Sequence, residues 1–219
     1  MDKLDYKKEF KELYIPKTNP MEIAVPSMTF IMVDGKGNPN DEDGEYKKAV
    51  ELLYALSYTI KMSKKIKNEL EGYFDYVIPP LEGLWWLKED GDMNFTKKEK
   101  FFWTSMIRQP DFVTKEIFEF ACNEVKKKKP YIDVSKARLE IFKEGLCVQC
   151  MHIGQFENEY ITTKKIEKYV EENNLIIDIN GFNEDGKIRR HHEIYLSDPR
   201  KIDKERMKTV LRHPVRRNL

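Results

Sequence analysis

The stretch GKIRRHHEIYLSDPR (186–200) constrains the fold more than any other part of this chain. It reads as a β-strand. Ile188, Arg190, His192, Ile194 and Leu196 alternate with Arg189, His191, Glu193 and Tyr195, and successive side chains of a strand leave opposite faces. One face, with His192, Ile194 and Leu196, suits a core. The other, with His191, Glu193 and Tyr195, suits a site. Ser197-Asp198-Pro199 ends the strand, because proline cannot donate to a ladder and biases the residue before it to an extended or turn form. Alternation alone reads the second face as solvated. A Glu between Ile and Tyr neighbours is unusual all the same, since carboxylates are rarely buried without a reason.

The other elements follow from periodicity and punctuation. Residues 5–14 place Tyr6, Phe10, Leu13 and Tyr14 at helical spacing, and Pro16 and Pro20 extend the connection after them. SMTFIMV (27–33) predicts a strand. The glycines of the following turn are not followed by a phosphate-loop pattern, so a plain strand-to-helix loop is expected. A long helix is predicted over 44–68, apolar on two stripes. Strands are predicted over 72–79 and 82–88. In the second, Leu84 and Trp86 share one face while Trp85 and Leu87 share the other. Thr96-Lys97-Lys98-Glu99 forms a capping box for a helix carrying Phe102, Trp103, Met106 and Ile107. Thr114 caps another helix, which ends in the lysine run 126–129 before Pro130. Residues 138–142 and 146–152 flank Glu144-Gly145 as a hairpin. A helix capped by Thr162 or Thr163 follows, and a short helix is predicted over 204–211.

Charge and motif content exclude several functions. The chain has 219 residues, with 39 basic against 38 acidic side chains and a net charge of +1. That balance gives no support for nucleic acid as a partner. No apolar run approaches the ~18 residues of a membrane span. Three cysteines and a charged N-terminus suit a cytoplasmic protein with reduced thiols. Cys147, Cys150 and His152 resemble a partial metal set. On a strand, however, Cys147 points away from the other two, and no second cluster completes a zinc site, so structural thiols are expected, with no metal and no cofactor. His191 and His192 leave opposite faces and do not chelate. A Ser197-Asp198-His triad lacks a nucleophile elbow.

Trp85, Trp86, Phe101, Phe102, Trp103, Met106 and Phe112 crowd one third of the chain. Much of this must be core. The two helices expected near 95–130 also offer a lid. Laid over a face holding Glu193, an aromatic lid makes a mostly apolar pocket with one charge. Such a pocket favours planar or cationic ligands. The element order suggests two similar halves, each a strand, a helix and returning strands, and an α+β fold with one curved, mostly antiparallel sheet.

LEGLWW (81–86), MIRQPDFV (106–113), EGLCVQCMHIG (144–154) and HHEIYLSDPR (191–200), with KTVLRHPV (208–215) behind, closely resemble the stand-alone GyrI-like proteins. These belong to a small-molecule-binding superfamily that includes the effector-binding domains of BmrR-type multidrug regulators. The resemblance implies tandem βαββ units in one curved sheet with a ligand cleft. It implies a GyrI-like domain over 27–219, with halves at about 27–90 and 138–200 and a helical insert at about 95–130. Residues 1–26 are left as an N-terminal helix and extended connection. No helix-turn-helix region precedes Met28, so a complete BmrR-like regulator is not expected.

The resemblance further implies an acidic residue at the base of an aromatic cleft, here Glu193. Some stand-alone members open the cyclopropane of DNA-alkylating natural products by adding water, which makes Glu193 a general base or water-orienting group. Trp86, Trp103, Met106 and Tyr195 would sandwich the ligand, with Phe102 and Phe156 beside them and His191 tuning Glu193. Two alternatives stand: a non-catalytic multidrug sink or sensor, and an interaction protein like the gyrase inhibitors. The chain departs from the family at His152-Ile153-Gly154-Gln155-Phe156, where relatives often have His-x-Gly-Pro-Tyr. The lost hydroxyl leaves Tyr160 and Tyr195 as unranked substitutes.

Overall fold

A computed structural model of the chain describes residues 3–63, 66, 70, 72–87 and 98–218. The protein is a mixed α and β structure, and every registered strand pair is antiparallel. It divides into two compact units. The first comprises Met1–Glu9, Met28–Pro79 and Leu87–Phe142, and the second Phe10–Ser27, Pro80–Trp86 and Lys143–Leu219. Among the described residues, no helix is long and apolar enough to cross a membrane.

In the first unit, the inner end of β1 (Met21–Lys36) pairs with β3 (Phe101–Arg108), from Phe30 opposite Arg108 to Lys36 opposite Phe102. Phe30, Ile31, Met32 and Val33 are consecutive and all buried, so this strand is covered on both faces. Helix α3 (Glu45–Met62) buries Ala49, Leu52, Leu53, Leu56 and Ile60, one stripe at helical spacing. Helix α4 (Lys115–Lys128) starts as the sequence predicts: the Thr114 side chain accepts from the Ile117 amide. Three lysines in its last turn complement the helix dipole.

The helix predicted over 96–109 is corrected by β3. Thr96 and Lys97 of the capping box lie outside the described residues. Phe102, Trp103, Met106 and Ile107 do fit a helical stripe. FFWTSMIR is also rich in strand-forming aromatic residues, and its ladder with β1 decides the outcome. Of the expected helical pair, α4 alone is therefore helical among the described residues. Trp103 stands directly opposite Gly35, and an added Cβ there would lie 2.2 Å from the indole. The ring covers the bare backbone and meets Tyr46 edge-on at 5.1 Å. The strand predicted over 72–79 reduces to a single parallel bridge between Leu4 and Tyr76.

The second unit is built around β7 (Lys208–Arg217). It pairs with β6 (His191–Tyr195), with β4 (Ala137–Ile153) and with β5 (Leu175–Ile177). β6 pairs in turn with β2 (Leu81–Leu87). Two predictions fail here. The helix over 204–211 is only a single 3-10 turn, Lys204–Arg206, followed by strand. The hairpin at Glu144-Gly145 is one continuous strand. Gly145 takes φ +78 without reversing the chain, a conformation nearly free only for glycine. In both places distant partners outweigh local turn and helix signals.

The unit has two covered faces. On one, Val148, Cys150, Leu211 and Val215 meet Ile166 and Val170 of α5 (Glu159–Glu172). Cys150 thus packs as a core residue, while its neighbour Cys147 is buried on the other face. On that second face, Arg212 donates to the Leu13 carbonyl and Gln149 to the Glu12 carbonyl. Both carbonyls belong to α2 (Lys11–Tyr14); α1 (Tyr6–Glu9) precedes it in the chain, so the structure has two short helices where the sequence predicts one.

Candidate functional site

The register of β6 puts its two sets of side chains to different uses. Glu193 stands opposite Gly83 of β2 and Leu211 of β7, and Tyr195 opposite Leu81 and Thr209. His191, Glu193 and Tyr195 therefore share the face that α5 covers. Tyr195 donates to Glu193 Oε2 at 2.7 Å, and its own oxygen accepts from the Trp85 indole N–H at 2.8 Å. His191 Nε2 lies 3.0 Å from Glu193 Oε1, and His191 Nδ1 lies 2.8 Å from His213 Nε2.

The proton positions follow from what is satisfied. His213 Nδ1 meets no partner among the described residues. Burial, then the neighbouring His191, push the His213 pKa well below its ordinary value, so the ring is neutral. A buried orphan acceptor occurs more readily than a buried orphan donor. The hydrogen of His213 therefore sits on Nε2 and is donated to His191. His191 in turn donates to Glu193. Nearby His152 is neutral too, its pKa lowered by burial. Its Nε2–H donates to the Gln155 carbonyl and its Nδ1 accepts from Thr162, both at 2.9 Å.

Glu193 is thus a carboxylate held by neutral donors. Two carboxylate oxygens offer about four acceptor positions. Tyr195 and His191 take two, and Glu159, from the first turn of α5, is a buried acidic neighbour of the same carboxylate. About two positions remain. Glu193 is buried at 7% exposure, against 2% for both Glu159 and His191, so it is the less deeply buried of the two carboxylates. Half-buried Tyr195, bonded to that carboxylate, meets half-buried Phe156 edge-on with ring centroids 5.9 Å apart.

The opposite face of β6 is a buried ionic core. His192 lies 2.9 Å from Glu144 and 3.0 Å from Glu82. Arg212 lies 3.0 Å from Glu144 and donates to Gln149. Burial by itself would neutralise His192, but the Glu144 carboxylate raises its pKa to about 9. Burial likewise opposes the charge on Glu144, and His192 with Arg212 overcomes it, holding its pKa at about 2. These charges pin the register. A one-residue slip would exchange His192 and Glu193 between the faces.

The predicted site residues belong to both units. His191, Glu193, Tyr195 and Phe156 come together. Trp86 leaves the face of β2 opposite to Trp85, with the Arg190 guanidinium stacked 4.7 Å from its ring. Trp103, Met106 and Phe102 are strand residues of the first unit, the first two buried. Sequence reasoning missed Trp85, Gly83, Glu159 and His213. Gly83 carried a readable signal. A Cβ there would lie 2.6 Å from the Trp85 indole nitrogen and 3.2 Å from the Tyr195 oxygen, so glycine makes room for their contact. Glu159 offered none, since an acidic residue in a first helical turn is ordinary.

Residues 18–216 match the family of the GyrI-like small molecule binding domain. The chain belongs to that family. Two solved Listeria innocua proteins share its fold at high identity. One is an uncharacterized conserved protein, 50% identical with a TM-score of 0.86; the other is a hydrolase, 49% identical with a TM-score of 0.83. Each alignment covers 98% of this chain and 100% of the other. The C-terminal domain of EcmrR, 11% identical, matches the fold with a TM-score of 0.52 over 91% of this chain and 98% of that one. No curated protein matches this chain.

Proposed function

We propose that this GyrI-like chain binds a hydrophobic, aromatic or cationic small molecule at Glu193 and hydrolyses a strained electrophile of the cyclopropanoid class. The observation that carries this reading is a carboxylate beside half-buried Tyr195, held by the Tyr195 hydroxyl and His191 with acceptor positions left over. Water donating to such a position is oriented for attack. Its oxygen bonds to a ring carbon as Glu193 takes its proton, the strained C–C bond breaks, and the electron pair passes to the conjugated acceptor. Tyr195, with Phe156 against it, supplies aromatic surface beside the carboxylate. The similarity to a hydrolase supports turnover.

One observation favours a second reading. Tyr195 and His191 already donate to the Glu193 carboxylate and hold it in place. Glu193 would then serve as a counter-charge for a cationic ligand, without turnover. Incubation with a cyclopropane-bearing alkylator separates the two. Wild type is expected to form ring-opened product faster than buffer, and Glu193→Gln to return to the buffer rate. Equal rates for wild type and buffer, with a cationic aromatic dye still quenching Trp fluorescence in wild type and less in Glu193→Gln, leave the binding role alone.

A further inference from the structure

His213 stands two hydrogen bonds behind Glu193 and has no part in the reading above. It lies opposite Val148 of β4. Leu211 and Val215, two residues to either side of it on β7, pack with Val148 and with Ile166 and Val170 of α5. Packing alone would favour an aliphatic side chain at this position, because a buried polar atom costs free energy unless it is bonded. His213 is 4% exposed, and its Nδ1 meets no partner among the described residues. Its Nε2 lies 2.8 Å from His191 Nδ1. The two rings are nearly perpendicular, at 78°, so the hydrogen bond and not stacking joins them.

A neutral imidazole has one donor and one acceptor nitrogen, and the bond made by one sets the role of the other. His191 has Nδ1 against His213 and Nε2 3.0 Å from Glu193 Oε1. With its hydrogen on Nε2, His191 donates to the carboxylate and accepts from His213, and the lone pair of His213 Nδ1 alone goes unmet. With its hydrogen on Nδ1, a ring lone pair would face a carboxylate oxygen that offers only lone pairs. The hydrogen of His213 would then sit on its own Nδ1 as a buried donor without an acceptor, the rarer fault. The chain of bonds therefore runs one way, from His213 through His191 to Glu193.

We propose that His213 is a positioning residue for Glu193 that acts through His191: by donating to His191 Nδ1 it fixes the plane of that ring and aims its one ring hydrogen at Glu193 Oε1. Tyr195 donates to Oε2, so each carboxylate oxygen carries one donor and the group is held against rotation. Its remaining acceptor positions then keep fixed directions. The proposal rests on reading Glu193 as the carboxylate that meets the ligand.

Nuclear magnetic resonance of the ligand-free, 15N-histidine-labelled protein tests this. Wild type is expected to show a scalar coupling across the hydrogen bond between the two ring nitrogens, with the hydrogen on His213 Nε2, and a slowly exchanging His191 Nε2–H. His213→Leu keeps an apolar core but removes the donor. Its His191 N–H should exchange with water up to about tenfold faster, the worth of one hydrogen bond, with unchanged far-UV circular dichroism. His213→Gln, which brings an amide N–H to a similar reach, should restore slow exchange. Absence of the coupling, or a hydrogen on His191 Nδ1, overturns the proposal. So does equal exchange in wild type and His213→Leu, or exchange in His213→Gln as fast as in His213→Leu, which would make packing the role of His213. If His213→Leu does not fold, the wild-type coupling and the place of its hydrogen still decide. Neither ligand nor turnover enters the measurement, so a failed hydrolysis assay and a missing coupling refute different claims.

Discussion

The back of β6 offers the sharpest quantitative test. His192→Gln removes the charge between Glu82 and Glu144 while keeping a polar side chain of similar reach. The wild-type pKa of about 9, against an ordinary 6.5, corresponds to roughly 3 kcal/mol of stability at about 1.4 kcal/mol per pKa unit. Removing one partner from a buried ion pair typically costs ~3–5 kcal/mol, so the two routes agree. The depressed Glu144 pKa reflects partly the same contact and is not added. Because the folded pKa of His192 is raised, its contribution is complete below pH 6.5 and is lost as pH rises through about 9. The Glu144 contribution runs the other way: present above pH 4.5, lost as pH falls through about 2. Urea unfolding followed by Trp fluorescence should therefore show wild type about 3 kcal/mol above His192→Gln at pH 6, and a much smaller gap at pH 9.5. A gap that does not change with pH would mean His192 is neutral when folded, and the charge argument would fall.

Two glycines carry the remaining predictions. Gly83→Ala drives a methyl into the Trp85–Tyr195 contact, whose loss at ~0.5–1.5 kcal/mol predicts up to about tenfold weaker binding of a cationic aromatic dye, with unchanged far-UV circular dichroism; full affinity would show that this contact does not shape the site. Gly35→Ala forces the buried Trp103 indole from its seat, an overpacking cost of roughly 1–3 kcal/mol, visible as a lower urea midpoint, and an unchanged midpoint would rule out the close stacking.

Much of the site was legible because strand alternation is a local rule. HHEIY by itself separates His191, Glu193 and Tyr195 from His192 and Ile194, and the structure keeps that separation. Thr114 and the lysine run similarly mark both ends of α4, since capping and dipole effects act within one turn. Local rules failed where a segment fitted two periods. FFWTSMIR satisfies a helical stripe as well as a strand, and pairing with β1 selected the strand; the helix predicted over 204–211 gives way from Lys208 onward to pairing with β4 and β6. Gly145 read as a turn because its sequence cannot show that β4 continues to a partner on β7.

The family motifs and the faces of β6 were thus determined by the sequence alone. Only the tertiary structure decided what each face meets. It brought Glu144 and Arg212, 48 and 20 residues away in sequence from His192, onto one side, so that a face that reads as apolar core is an ionic one. It placed Trp85 rather than Trp86 beside Tyr195, because Gly83 leaves room on that face. And it set Glu159, in the first turn of α5, beside Glu193, turning an ordinary helix-start acid into a buried neighbour of the site carboxylate. Such contacts join residues with no shared local period, and burial gives them their energy.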